Sequence, residues 1–492
     1  MIKSLFMSAP YPGKQKFGGQ PTELLYALSI LANKRKNTKK NIQVWCPEGI
    51  SNWEEDSKFK KELRNFISKN KPKILGISTF SVSYKNALNI MRFAKEISPE
   101  IVVIFGGAHE DNFVKYYREK KYIDADFVVA GDGMFILDKL YELIESNLFL
   151  RVDEIKKKVI ESKEEFSKLN GAGILLFNQG KKFVEIKTRG DSISLDKVPI
   201  IPRYLLKEED KLAKAFTIFN GKKTAQLMIG QGCPHSCAFC SEGIKRVWYD
   251  NDSPKSVNFI RLLGNVEKEI KLVKKEGYSA IFFDDSTFLA KPKNYLKRLF
   301  VLLSKYHFEW GCQTTQGSIY QNKDLLSKMK KSGCSYVYIG IEHFDGEMRN
   351  AFGNNKYGNT STEGIIDILK QYGIRVGISL TFGHPDEADP KEATKENEKT
   401  VKYTIDKMAD IIRKHENVIG VSLNIITYQP GTLYSERYER KVGKIQFIEQ
   451  PNDSEPFRSF EEGIGPHPLG VTPSLVEFIL SYAKTKIGRK LF

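Results

Sequence analysis

Two hydrophobic periods take turns along the first ~145 residues. Short apolar runs at 2–6, 42–45, 74–78, 101–105 and 127–129 have the length and the Ile/Val/Phe content of buried strands. Between them, 22–31, 84–97 and 134–144 repeat apolar residues every three to four positions, as one face of a helix does. Strand and helix in alternation predict a parallel sheet covered on both faces, an α/β layer of Rossmann-like type. Glycines follow the strand ends at 18–19, 106–107 and 131–133. In an open sheet those ends form the ligand crevice, and glycine lets backbone come close to a bulky group.

The alternation breaks over residues 150–220. A charged helix over 153–168 leads into GILLFNQGKKFVEIK, two apolar runs joined as a hairpin around 178–182, and Pro199 and Pro202 stiffen the extended stretch after it. From 222 the alternation resumes with strands at 225–229, 280–283, 309–313, 336–341, 377–382 and 421–426. Helices are predicted between them at 258–276, 293–306, 323–332, 361–372 and 395–415. Six βα units make roughly three-quarters of a barrel, whose strand C-terminal ends carry the site in such folds. The expected division is therefore α/β throughout: a Rossmann-like domain over 1–147, a linker with helix and hairpin over 148–221, a partial (βα)6 barrel over 222–440, and a small segment over 441–492. That last segment, with Pro466, Pro468 and a helix from Pro473, reads as a cap or substrate-docking piece.

Composition narrows the class without naming a function. Hydrophobic residues at 41% and charged residues at 28% of 492 suit a soluble globular protein. No apolar run approaches the ~20 residues of a membrane span, and the N-terminal apolar stretch is too short for a secretory signal, so a cytoplasmic location is expected. The net charge of +17 raises the question of nucleic acid, but the lysines are spread over the whole chain. Only Lys34, Arg35, Lys36, Lys39 and Lys40 form a tight basic run. A solvated lysine-rich surface is the simpler reading, and nucleic acid is not an expected partner.

The chemistry is concentrated in MIGQGCPHSCAFCSEG. Three of the chain's six cysteines, Cys233, Cys237 and Cys240, fall within eight residues, in a loop after the first barrel strand. A cubane [4Fe–4S] cluster held by three thiolates keeps one iron open to a small ligand. Structural zinc usually takes four Cys or His ligands in paired spacing; His235 offers a fourth donor, but no second pair follows within ~20 residues. Cys46, Cys312 and Cys334 are isolated and read as core.

The C-x₃-C-x₂-C spacing ahead of a six-strand βα pattern resembles the radical S-adenosylmethionine (SAM) superfamily, with Phe239 at that family's aromatic position before the last cysteine. The resemblance implies a [4Fe–4S] cluster whose open iron chelates SAM. One-electron cleavage of the sulfonium then yields a 5′-deoxyadenosyl radical. It also implies SAM contacts further on. Asp284 and Asp285 in FFDDSTF end a strand where carboxylates accept hydrogen bonds from ammonium or ribose, although one of FFDDSTF's polar residues, Ser286 or Thr287 among them, is equally placed to cap a helix. Glu342 in GIEHFDG matches the family's polar contact to methionine or ribose. Gly383 in ISLTFGHP matches the glycine–proline segment beside adenine, and YQPGT at 428–432 also fits.

The segments ILGISTFSVSY, IVVIFGGAHEDNF and ADFVVAGDGMFILDKL resemble the cobalamin-binding domains fused ahead of radical SAM domains. This implies cobalamin as a third cofactor, with Ser78, Thr79 and Ser81 near the corrin or its nucleotide tail and Gly106, Gly107 and Gly131 lining the tail's groove. The D-x-H-x-x-G motif that gives cobalt a histidine is missing, and His109 in GGAHED lies outside such a setting. The fused family commonly lacks it too, which implies cobalt without a histidine lower ligand. A domain that kept the fold and lost the cofactor is the alternative. Joined, the halves imply a methyltransferase acting on an unactivated carbon through methylcobalamin, with a small-molecule or peptide substrate and a one-electron reductant such as flavodoxin or ferredoxin. Ring formation or rearrangement without methyl transfer is the other course. An RNA-modifying methylthiotransferase would carry three cluster cysteines in its N-terminal domain, where only Cys46 is found, and a non-catalytic corrinoid-binding protein would not need the barrel motifs.

Overall fold

The computed structural model describes residues 2–11, 19–50, 53, 56–242, 259–350, 361–385, 397–443 and 471–491. Gly18, the first residue of the helix expected from 258, residues 395–396, and Pro466 and Pro468 lie outside them. Described residues up to Ala215 form one compact unit, and those from Phe216 onward form a second.

The first unit is built on strands β1 (Ser4–Ser8), β2 (Ile42–Trp45), β3 (Ile74–Ser78), β4 (Val102–Gly106), β5 (Phe127–Gly131), β6 (Gly173–Gln179) and β7 (Lys182–Lys187). They lie in the order β2-β1-β3-β4-β5-β6-β7. The first five pair in parallel, and β6 and β7 add antiparallel to β5. The hairpin expected in the middle of the chain therefore forms and continues this sheet, with Leu175, Leu176 and Phe177 fully buried. β1 begins two residues later than the apolar run suggests. Parallel neighbours on both sides bury all five residues, Ser4 and Ser8 included, so no polar position marks its limits. Two helices beyond those expected cover the sheet, Ser57–Asn70 and Ala108–Lys120. Within the basic run, Lys34 and Arg35 reach the buried carboxylate of Asp138, leaving Lys36, Lys39 and Lys40 exposed.

The second unit carries six parallel strands: β8 (Thr224–Leu227), β11 (Ala280–Phe283), β12 (Glu309–Thr315), β13 (Cys334–Glu342), β14 (Arg375–Phe382) and β15 (Val418–Ile425). They lie in the order β15-β14-β13-β12-β11-β8. A two-residue antiparallel pair, β9 (Gly230–Gln231) with β10 (Phe259–Ile260), brackets the cysteine loop. Helices Leu263–Lys275, Lys293–Tyr306, Leu326–Lys331, Thr362–Gln371 and Glu398–Lys414 occupy the crossovers. Cys312 and Cys334 are core residues.

Which strand face points inward follows from side-chain contacts. Phe219, Ala280, Phe282 and Tyr336 form one buried cluster, with Phe216 and Tyr338 packed against it. A Cβ at Gly311 would lie 3.1 Å from the Phe219 ring and 3.0 Å from Tyr336 O, so β12 carries no side chain where this cluster packs. Further along the same faces the side chains turn polar. Gln226 donates to Asp284 at 2.6 Å, Asn424 donates to Ser379 at 2.8 Å, and Thr381 donates to Glu342. An aromatic floor and a polar mouth at the strand C-terminal ends are thus written into alternate positions of the same strands. Beyond β15, helix Pro473–Ile487 packs along Glu398–Lys414, Tyr482 donates to Asp406 at 2.9 Å, and Leu491 bridges to Val421. The open edge of the sheet is covered there. Among the described residues no helix is long and apolar enough to cross a membrane.

Candidate functional site

The cysteine loop leaves β8 through a tightly held neck. Asp285 accepts a hydrogen bond from Ile229 N at 2.9 Å, and Arg261 donates from its guanidinium to Met228 O at 2.8 Å. Gly232 at φ +82 then turns the chain into Cys233. Further along, Cys240 N donates to Cys237 O at 3.1 Å, and Ala238 O accepts from Tyr434 N at 3.1 Å. That last contact ties the loop to helix Leu433–Lys441, which Thr432 caps. None of the three cysteines is in a disulfide, and all are partly buried. Burial pushes the Cys240 thiol up to about 12; a hydrogen bond from the Glu242 backbone opposes it, and the charges of Glu242, Cys237 and Cys233 add to it. A metal taken up here must therefore displace a proton from the thiol.

The donor set fits an iron–sulfur cluster. Three soft sulfur donors at short spacing sit on an anchored loop at the strand ends, with the Thr287 hydroxyl 3.4 Å from Cys233 Sγ. Among the described residues no three His, Cys, Asp or Glu side chains converge as ligands of a single ion do; a cubane asks instead for one thiolate on each of three irons.

The residues expected to contact SAM divide into two groups. Asp284 is half-buried at the polar mouth with one oxygen on Gln226. Glu342 ends β13 at φ +67, a left-handed conformation rare for a side chain of its size, just past a bulge against β14. Backbone strain of this kind is held at sites where a side chain must be aimed. Phe239 meets His384 edge to face with ring centres 6.4 Å apart. Asp285 departs from the expectation. Its carboxylate is 1% exposed, paired with Lys291 at 3.0 Å and bonded to Ile229 N, so it belongs to the neck of the loop rather than to a ligand. Gly383, at φ +86, is also explained internally, since a Cβ there would lie 2.7 Å from Val471.

Sequence reasoning passed over two histidines. His343 and His384 are fully buried, one residue beyond Glu342 and Gly383, with ring centres 6.3 Å apart. His384 bonds Thr381 O at 3.1 Å, and His343 bonds Thr404. Their signal was their position, directly behind two residues already singled out at neighbouring strand ends.

In the first unit the order β2-β1-β3-β4-β5 puts the topological switch point between β1 and β3, where open α/β sheets take their ligands. Tyr11 and Phe80, just past those two strands, stack with ring centres 6.0 Å apart. Ser78 ends β3 and Ser81 begins the next turn, bonded to His109 Nδ1 at 3.1 Å. Thr79, expected beside the corrin, faces inward. It is fully buried and donates to Glu110 at 3.0 Å, and Tyr117 donates to the other Glu110 oxygen at 2.7 Å. His109 is sandwiched between Tyr84 and Phe113, each ring centre 4.0 Å away, and burial holds it neutral by lowering it to about 3. Gly106 and Gly107 close this strand end, and Gly131 at φ +71 is occupied on its Cβ side by Ala172 O.

Burial also raises Glu110 from 4.5 to about 7, with Tyr117 and Thr79 opposing. A carboxyl raised in the folded state lends stability that is complete below pH 4.5 and lost as pH rises through 7. The amount is roughly 3 kcal/mol. Comparing Glu110→Gln with the native chain cancels the opposite contribution of His109. The difference in unfolding free energy is expected to move by about 3 kcal/mol in the variant's favour between pH 4 and pH 8. A difference that stays constant over that range in urea titrations counts against the buried, raised carboxyl.

Two known families match, one within each unit. The Radical SAM superfamily matches residues 227–396, and the B12 binding domain matches residues 51–140. The chain is 24% identical over 416 residues to an uncharacterized methyltransferase, PH0819, of Pyrococcus horikoshii, covering 84% of this chain and 77% of that protein. It is 24% identical over 286 residues to the anaerobic magnesium-protoporphyrin IX monomethyl ester cyclase of Rubrivivax gelatinosus, which covers 57% of this chain but only 46% of the cyclase. In fold it is similar to the radical SAM methyltransferase TsrM of Kitasatospora setae, solved with cobalamin and a [4Fe-4S] cluster. The TM-score is 0.62 at 14% identity, over 100% of this chain and 93% of that one. A radical SAM domain preceded by a B12 binding domain, in one chain and in that order, is the domain arrangement of the cobalamin-dependent radical SAM family.

Proposed function

We propose that the protein is a cobalamin-dependent radical SAM methyltransferase that acts on an unactivated carbon of a small molecule or peptide. The observation that carries this reading is the pairing itself. A B12-binding unit and a cluster-bearing barrel lie in one chain, and the likeness to a methyltransferase-named protein runs through 84% of it. An unactivated C–H carbon offers no lone pair, so a polar methyl transfer has nothing to attack. When bound, the cluster and SAM supply hydrogen abstraction, and methylcobalamin supplies the methyl group.

The chain's own residues are then assigned to holding and orienting. Cys233, Cys237 and Cys240 hold the cluster. Asp284 and Glu342, kept in place by Gln226 and Thr381, face the mouth as acceptors for the ammonium or hydroxyl groups of SAM. The aromatic floor closes the barrel's lower end to water. Ser78 and Ser81 at the switch point contact cobalamin, while buried His109 stays off the cobalt. A flavodoxin or ferredoxin delivers electrons, the location is cytoplasmic, and nucleic acid is no partner.

The likeness to a cyclase favours one other reading, ring formation without methyl transfer. Methyl-labelled SAM separates the two. A methyltransferase is expected to release one 5′-deoxyadenosine and one S-adenosylhomocysteine per labelled product, because one SAM makes the radical and another remethylates cobalt. Product without label, formed with 5′-deoxyadenosine and no S-adenosylhomocysteine, would sink the methyl transfer and leave the radical chemistry standing.

A further inference from the structure

Thr287 follows β11, 1% exposed, with its hydroxyl 3.4 Å from Cys233 Sγ. It precedes the short turn Phe288–Ala290 without capping it. The Thr287 carbonyl accepts from Lys291 Nζ at 3.3 Å, and Lys291 is paired with Asp285 at 3.0 Å, the two side chains being 2% and 1% exposed. Asp285 in turn holds Ile229 N at 2.9 Å. The lysine stem lies against β9, since a Cβ on Gly230 would come within 2.8 Å of Lys291 Cε. A second buried pair, Arg261 with Glu269 at 2.7 Å, holds Met228 O through the Arg261 guanidinium, while the Arg261 backbone N donates to Ile229 O at 2.9 Å. Burying such pairs costs desolvation that an apolar pair of the same volume would avoid. What these charges do that apolar residues cannot is grip the backbone leading into the first cysteine, at Met228 O and Ile229 N, and the carbonyl of Thr287 beside it.

We infer that Thr287 is a positioning residue for the cluster, held by the Asp285–Lys291 pair so that its hydroxyl donates a hydrogen bond to the Cys233 thiolate. A ligand thiolate has no proton to give, so the direction of that bond is fixed by chemistry. Such a bond favours the more negative, reduced cluster and raises its potential. The inference rests on the cluster reading and is tested apart from turnover, on the reconstituted full chain.

Thr287→Val keeps the shape and removes the donor. It is expected to bind about four irons and to shift the midpoint potential downward by about tenfold in the redox equilibrium, ~59 mV for a one-electron couple. The EPR signal of the reduced cluster should change with it, and Thr287→Ser should restore both. The double variant Asp285→Asn, Lys291→Met keeps an acceptor for Ile229 N and frees the Thr287 carbonyl; it is expected to move the potential the same way. Thr287→Val that folds but fails to load, beside a serine variant that loads normally, supports the same contact. A valine variant with the native potential and spectrum overturns the inference, as does a serine variant that tracks the valine one. Native protein that takes up no iron sinks the cluster reading, which is a separate result.

Discussion

Replacing Cys233, Cys237 and Cys240 together by alanine is expected to abolish iron binding and every trace of SAM cleavage while leaving a folded chain. The anaerobically reconstituted native protein should hold about four irons and as much sulfide, in keeping with one cubane. The triple variant should hold none. The fold is expected to survive because the loop is anchored by groups that are not cluster ligands. Asp285 and Arg261 hold its neck, and Tyr434 holds Ala238. The side chains removed are partly buried thiols, whose loss is small beside that of a core residue. Cys312→Ala and Cys334→Ala form the contrast, since both sulfurs lie in the barrel core and should cost stability with iron content intact. Uptake should also release protons, because burial holds Cys240 near 12 and the ligand is a thiolate. Unchanged iron in the triple variant, or a native preference for zinc, would rule the assignment out.

The cluster loop was legible because its chemistry is local. Three thiolates within eight residues need no tertiary information, and the strands around them are long apolar runs that only a parallel sheet buries on both faces. Asp285 was not legible in the same way. FFDDSTF offers two adjacent carboxylates on opposite sides of the chain. Only the fold shows that Lys291, six residues on and around a short turn, takes the second of them inside. Thr79 raised the same difficulty, since the partner that turns it inward, Glu110, comes from the crossover helix that follows β4. That helix, AHEDNFVKYYREK, was itself missed. It buries Glu110, Asn112 and His109 along with Phe113, so its buried face is not an apolar one and the helical period is blurred. Ser57–Asn70 was missed for the opposite reason, with Leu63 and Ile67 its fully buried residues amid charge.

Gly107→Val is expected to reduce corrinoid binding from about one per chain to less than a tenth, and the reason lies inside the protein. A Cβ at Gly107 would stand 2.8 Å from Thr79 O, 2.9 Å from Thr79 N and 2.9 Å from Ser78 Oγ. The residue also sits at φ +111, which a β-branched side chain does not adopt without strain. Valine must therefore push Ser78 and Thr79 away. That displaces the bonds from Thr79 N to Gly106 O at 2.8 Å and from His109 N to Thr79 O at 3.1 Å, which tie the end of β3 to β4 and to helix Ala108–Lys120, and it disturbs Ser78, whose carbonyl accepts from Ala9 N at 2.8 Å just past β1. Strain and overpacking of this kind cost about 1–3 kcal/mol each, so the first unit should be measurably less stable as well as empty. Gly106→Ala supplies the graded comparison. Its Cβ meets only Val129 O, at 3.1 Å, and its φ is ordinary. It should lose a few-fold at most. Corrinoid absorbance per folded chain after reconstitution reads both variants, with iron content of the barrel as the internal control. Full occupancy in Gly107→Val would mean that cobalamin does not depend on this strand end, and the switch point between β1 and β3 would lose its place as the binding crevice.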